Sequence, residues 1–263
     1  MKKLIAMLLV LTMVLSFAAC AKTEAPATEA ATEAATEAPV ETAPAAVEEG
    51  ILDGGADISV DAVLTHEEFM AAELESVVCV ETYVQGHQSW WDNKITVYCQ
   101  SEDGAYFLYE LACSEEDAAK LVPGTKIRVT GDKAEWAGEV EIMNGTFEFV
   151  EDGETFVAEA LDVTELLGTE ELVAHQNEFV SFSGMTVEAI EYKNGEPGDD
   201  IYVTLGYNGA SYSFCVEIYL TGAESDVYTT VGTLNVGDIV NVEGFLYWYE
   251  GVNTHITGIA IAE

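Results

Sequence analysis

Gly124-Thr125-Lys126-Ile127-Arg128-Val129-Thr130-Gly131 and Gly237-Asp238-Ile239-Val240-Asn241-Val242-Glu243-Gly244 are two glycine-bounded segments of one pattern, 113 residues apart. Over Ile127–Thr130 and Val240–Glu243 apolar and polar residues alternate up to the second glycine, the period of a strand with one buried face. Leu121 and Leu234 precede them at the same offset, and Trp136 with Gly138 and Tyr249 with Gly251 follow at it. A further match joins Val78-x-Val80-x-Thr82 to Val180-x-Phe182-x-Gly184 at an offset of 102, with insertions near Lys193–Asp200 and after Thr221 taking up the difference. An internal repeat of this length marks two copies of one structural unit. The expected boundaries are 51–152 and 153–263.

Each copy reads outward from that strand. In the first, Thr65-His66-Glu67-Glu68 has the form of a capping box opening a short helix. Strands are expected at Val77–Val84, Lys94–Gln100 and Ala105–Ala112, a second short helix after Ser114, and strands at Lys126–Gly131 and Glu139–Phe149. The second copy predicts a helix near Glu170–Gln176. Its strands are expected at Phe179–Tyr192, Ile201–Tyr207, Tyr212–Leu220, Ile239–Tyr249 and Thr254–Ala262.

Three meandering strands, a helix and two more strands resemble the order of an OB-fold, and both glycine-bounded segments resemble the GxxVxVxG fourth strand of bacterial OB-like domains. The resemblance implies a mainly β protein of two tandem five-stranded OB-fold-like barrels, each with short helices; composition places a disordered N-terminal tether before them. It also implies a ligand over strands 2 and 3, between the loop joining strands 1 and 2 and the loop joining strands 4 and 5.

The N-terminus has its own signature. Lys2 and Lys3 precede an apolar run from Leu4 to Leu15, too short for a spanning helix, and Ala18-Ala19 leads into Cys20. Phe17-Ala18-Ala19-Cys20 resembles a bacterial lipobox. Residues 1–19 then read as a signal peptide, and Cys20 as a lipidated residue holding the chain to the outer face of the cell membrane. An ordinary signal cut after Ala19 would leave the same cysteine free. Residues 20–50 carry Thr-Glu-Ala-Ala repeats and three prolines with no apolar stripe, the composition of a disordered tether. Such a coil spans roughly 30 Å.

The chain has 48 Asp and Glu against 9 Lys and Arg, a formal charge of −39. From residue 51 onward there are 41 acidic and six basic residues. This field disfavours phosphate backbones, ranks single-stranded nucleic acid binding behind other ligands, and suits solubility, cations or basic partners. Cys79 and Cys99 lie on consecutive predicted strands, where one bridge across the hairpin and four buried free thiols at 79, 99, 113 and 215 are the two outcomes. His66, His87, His175 and His255 are scattered without a nucleophile or metal spacing, and no GxSxG, HExxH or P-loop pattern occurs. The reading is non-catalytic, with no cofactor or metal. Asp53-Gly-Gly-Ala-Asp57 and Asp199-Asp200 are read as solvated loops rather than calcium ligands.

Aromatic residues collect where an OB ligand would lie. Trp90 and Trp91 fall in the first loop, Trp136 in the second, and Tyr98 on strand 2. Tyr247, Trp248 and Tyr249 occupy the second copy's corresponding loop, with Tyr202 and Tyr207 on its second strand. Rings among polar side chains suit an extracellular glycan or peptide; the same rings would alternatively plug barrel ends or pack on the neighbouring module. The expected function is a surface-anchored module binding such a ligand. Docking onto another envelope protein is the alternative.

Overall fold

Thr65 opens the first helix, α1 (His66–Ala71), as the capping box requires: its Oγ1 accepts from the Glu68 N–H at 3.3 Å, and Glu68 Oε2 accepts from the Thr65 N–H at 2.9 Å. The structure, a computed structural model, describes residues 62–262. The signal peptide, Cys20, the tether and the Asp53–Asp57 loop lie outside the described residues.

Five strands follow with the expected alternation: β1 (Val77–His87), β2 (Lys94–Ser101), β3 (Gly104–Ala112), β4 (Lys126–Trp136) and β5 (Glu139–Phe149). They close a barrel in the order β1-β2-β3-β5-β4, with β4 returning antiparallel to β1. β3 and β5 run parallel, so the chain must cross over between them. It does so through β4 and the short helix α2 (Glu115–Ala118), whose N-cap Ser114 accepts from the Asp117 N–H. Val80, Val84, Val97, Leu108, Ile127, Val129 and Ile142 fill the interior with essentially no exposure. This is the OB arrangement the fourth-strand motif pointed to.

The two glycines of that motif serve different purposes. Gly124 and Gly237 sit at φ +89° and +96°, a left-handed turn where a side chain is strained. Gly131 and Gly244 lie where neighbouring backbones approach. A Cβ on Gly131 would meet Met143 O at 2.8 Å, and one on Gly244 would collide with the His255 carbonyl. Both mark a register shift in the following hairpin, as β-bulges do. Gly244→Ala should therefore cost about 1–3 kcal/mol, the range for overpacking. Urea unfolding reads it, and a change below about 0.5 kcal/mol would show the approach to be looser than described.

The second sheet contains β6 (Leu161–Asp162), β7 (Phe179–Tyr192), β8 (Ile201–Tyr207), β9 (Ala210–Val216), β10 (Ile239–Phe245) and β11 (Asn253–Ile261) in the order β10-β11-β9-β8-β7-β6, with an additional β10–β7 pairing. Its interior is built on Val180, Phe182, Val203, Leu205, Phe214 and Val240. Two expected strands end early. β9 stops at Val216, and the chain turns into α3 (Ile218–Thr221); β10 stops at Phe245, leaving residues 247–249 in a turn. The insertion after Thr221 is a helix, α4 (Asp226–Val231), capped by Ser225 and burying Val227, Tyr228 and Val231. It occupies the place between β9 and β10 that α2 occupies between β3 and β4. The expected helix near Glu170–Gln176 is a 3-10 turn at Leu172–His175.

Cys79, Cys99, Cys113 and Cys215 are free and buried. The register explains the absence of a hairpin bridge: Cys99 stands opposite Val84, whereas Cys79 stands opposite Thr130 on the other side of β1. The segment joining the sheets is tied down by Gln85, whose Oε1 accepts from the Ala158 N–H at 2.8 Å and whose Nε2 donates to Phe156 O at 3.1 Å.

Candidate functional site

Alternation along β2 and β3 turns Val97, Cys99, Tyr106 and Leu108 into the barrel, and thereby Thr96, Tyr98, Ala105 and Phe107 outward. That outward face is the expected ligand surface, yet all four residues are buried. The second sheet covers it. Tyr98 and Phe107 form one cluster with Phe245, packed by Phe179, Leu220 and Tyr247. The Tyr98 ring stacks on Phe245 at 4.5 Å between centroids, Phe107 meets Tyr247 edge-on at 5.1 Å, and Tyr247 stacks on His255 at 4.4 Å.

Polar groups complete this contact. Tyr98 Oη lies 2.6 Å from His255 Nδ1, and Gln88 Nε2 donates to the same oxygen at 3.5 Å. Burial drives the His255 imidazole down to about 3, so it is neutral at ordinary pH. Burial also pushes the Tyr98 phenol well above its usual range, with the Glu217 carboxylate adding to it. Gln100 Oε1 accepts from the Phe179 N–H at 2.8 Å. At the other margin Gln176 clasps the β5 hairpin, accepting from the Val140 N–H at 3.0 Å and donating to Gly138 O at 2.8 Å.

The sequence-predicted aromatics separate into three groups. Tyr98 and Tyr247 belong to the contact between the sheets, which leaves Tyr98 no surface for a ligand. Trp90 is half-buried against the first core, and its Nε1–H donates to Cys113 O at 2.8 Å; Trp248 packs on the second core. Trp91, 80% exposed, Trp136, 44%, and Tyr249, 36%, remain at the surface. They do not form one platform with Trp90. The turns after β4 and β10 instead meet each other, with the Glu250 N–H donating to Ala137 O at 2.8 Å. The loops expected to flank a ligand thus hold the two sheets together.

Among the described residues, two hollows lie at the surface. One, of about 300 Å³ and lined by Thr186, Glu188, Gly206 and Tyr207, lies beside the outward side of β8 and β9, which bears Tyr202, Thr204, Ser211 and Ser213. The other is an apolar groove of about 500 Å³ along the junction, lined by Gly86, Val157, Phe179, Leu220 and Phe245. Neither holds a group of three or more metal-ligating side chains among the described residues. Asp199 and Asp200 instead face Lys193 at 3.7 and 3.0 Å, and Asp200 Oδ1 also accepts from the Ile218 N–H.

Cationic side chains are all engaged among the described residues. Lys94 pairs with Glu110, Lys120 with Glu116 and Asp117, Lys126 with Glu81, Asp152 and Glu154, and Arg128 with Glu81. Lys133 donates to Met70 O and Ala72 O, both at 2.8 Å, closing the carbonyl end of α1. Lys126, Arg128 and Lys133, close together along β4, are therefore all paired within the chain. Glu139 in β5, His255 in β11 and the neighbouring Gln176 and Asn177 also belong to the contact, and no motif in the sequence marks them as contact residues.

No family model matches the chain, and no curated protein matches it. Solved structures with a similar arrangement include a murine DNA-binding protein bound with double-stranded DNA, at a TM-score of 0.36 and 10% identity over 70% of this chain and 95% of that one. Others are the Ifi202 HINa domain in complex with a 20-bp DNA duplex, at 0.32 and 12% over 71% and 98%, and the p204 HINb domain, at 0.31 and 12% over 69% and 95%. The first two are described as holding DNA, which differs from the partners expected from the sequence, an extracellular glycan, peptide or envelope protein rather than nucleic acid. At these scores and identities the likeness carries no ligand over to this chain.

Proposed function

We propose that this chain is a lipid-anchored, non-catalytic tandem of two OB-like barrels whose negative surface takes a polycationic partner. The pairing of β7 with both β8 and β10, and of β11 with β9, supports reading the second sheet as a barrel of the same strand order as the first. The observation carrying the partner reading is the state of the basic residues. All six from residue 51 onward are spent on carboxylates or backbone carbonyls, while 41 acidic residues share the same stretch. A field of that sign draws cations and raises their rate of encounter.

The test sets the folded full chain against poly-lysine and against a 20-bp DNA duplex, with the heat-unfolded chain as a control of equal charge. Poly-lysine should bind the folded chain more tightly than the unfolded one. Binding should weaken as salt shortens the screening length from about 30 Å at 0.01 M to about 10 Å at 0.1 M. Equal binding to both forms, or retention of the duplex instead, would contradict the reading. Anchoring has its own test: Cys20→Ser should release the protein from the membrane fraction, and unchanged retention would refute lipidation.

A further inference from the structure

Glu139, the first residue of β5, is fully buried between the two sheets. Its Oε2 accepts from the Trp248 N–H at 2.8 Å, across the junction. Its Oε1 is buried with no hydrogen-bond partner. Asn177, just ahead of β7, is buried beside it. Asn177 Nδ2 donates to Val140 O at 3.2 Å, which orients the amide, and its Oδ1 also has no partner. By distance and angle, one seam therefore contains two buried acceptors without a well-placed donor, the Asn177 amide pulling on the Glu139 carboxyl less than burial does, where such atoms are normally satisfied.

The charges around Glu139 offer no relief. Glu141 lies two residues on, on the same side of β5, and its carboxylate pushes in the same direction as burial. Trp136 stands opposite on β4, after Glu135. On the second sheet's side are Gln176, Asn177 and Trp248, with Glu250 in the same turn as Trp248 and a closed His175–Glu178 pair at 2.9 Å. No lysine, arginine or histidine among the described residues forms an ion pair with Glu139. An ionised carboxylate at such a place is strongly disfavoured, and a buried group in that position takes up a proton.

We propose that Glu139 is a neutral carboxylic acid in the folded protein at pH 7, and that its proton operates a latch between the two sheets. Protonated, the carboxyl accepts the Trp248 amide and supplies the donor that the seam lacks. Deprotonated, it places an unpaired charge at the contact and favours its opening. Burial pushes this carboxyl up to about 8, against smaller downward pulls from the Asn177 amide and the Trp248 N–H. Because the folded value lies above the unfolded one, the stabilisation is complete below about pH 4.5 and is lost as pH rises through about 8. Each pH unit in that window lowers the folded-to-unfolded ratio by about tenfold.

Carbon-13 NMR of the full chain, following the Glu139 side-chain carboxyl across pH 4 to 10, tests this directly. A midpoint between about 7 and 9 is expected, and a midpoint near 4.5 would overturn the proposal. A second arm compares unfolding of wild type and Glu139→Gln at pH 6 and pH 9. The amide keeps an acceptor for Trp248 and carries a permanent donor, so the variant should lose less of its folded-to-unfolded ratio than wild type, by about a hundredfold over the window. An equal loss in both would overturn the latch. If the variant fails to fold, the wild-type titration still decides.

Discussion

Tyr98→Ala should destabilise the protein by about 3–5 kcal/mol, the range for truncating a large buried aromatic. The ring is 1% exposed, stacked on Phe245 and bonded to His255, so its removal opens a cavity at the contact between the sheets and leaves a buried imidazole nitrogen without its partner. Trp91→Ala is the matched control. That side chain is 80% exposed, and its loss should change stability by no more than about 0.5 kcal/mol. Urea unfolding of the two variants reads the difference. Similar small changes would mean that the outward face of β2 and β3 is open, as a ligand surface would be.

The second large effect is an acid limb set by His255. Its folded value, about 3, lies below the ordinary 6.5, so the unfolded chain binds the proton first as pH falls. The stabilisation from keeping this imidazole neutral is complete above about pH 6.5 and is lost as pH falls toward 3, at about 1.4 kcal/mol per unit. His255→Gln should flatten that limb while preserving a polar partner for Tyr98. Unfolding free energy followed from pH 7 to pH 4 checks it. A variant as acid-labile as wild type would assign the limb to other groups. Glu139 acts in the opposite sense, losing its contribution as pH rises, so the contact between the sheets is squeezed from both sides of neutrality.

Much of the fold was readable because it rests on local rules. The capping box at Thr65 and Glu68, the alternation along β1 and the glycines flanking Ile127 and Val129 each determine their own geometry within a few residues. Tyr212–Leu220 was read too long because Ile218, Tyr219 and Leu220 suit a strand as well as the short helix they form. Helix α4 was missed because Ser225 and Asp226, its capping residues, look like loop sequence in an insertion. The site was less legible, and for a physical reason. Tyr98 and Phe107 alternate outward from a barrel, and the pattern of one strand cannot say whether water, a ligand or a second sheet covers that face. Trp90 and Trp91 are neighbours with opposite fates, one hydrogen-bonded against the core and the other in solvent. Trp90 reaches the Cys113 carbonyl within the first barrel and Trp91 does not, a difference the loop sequence does not carry.

Docking of the second sheet on the outward face of β2 and β3 is the central claim, and ring-to-ring NOEs between Tyr98 and Phe245 in the full chain test it most directly. At 4.5 Å between stacked ring centroids, strong cross-peaks are expected, together with a single tumbling time for amides in both sheets. Absent cross-peaks with two independent tumbling times would contradict it, and would return the outward face of β2 and β3 to solvent.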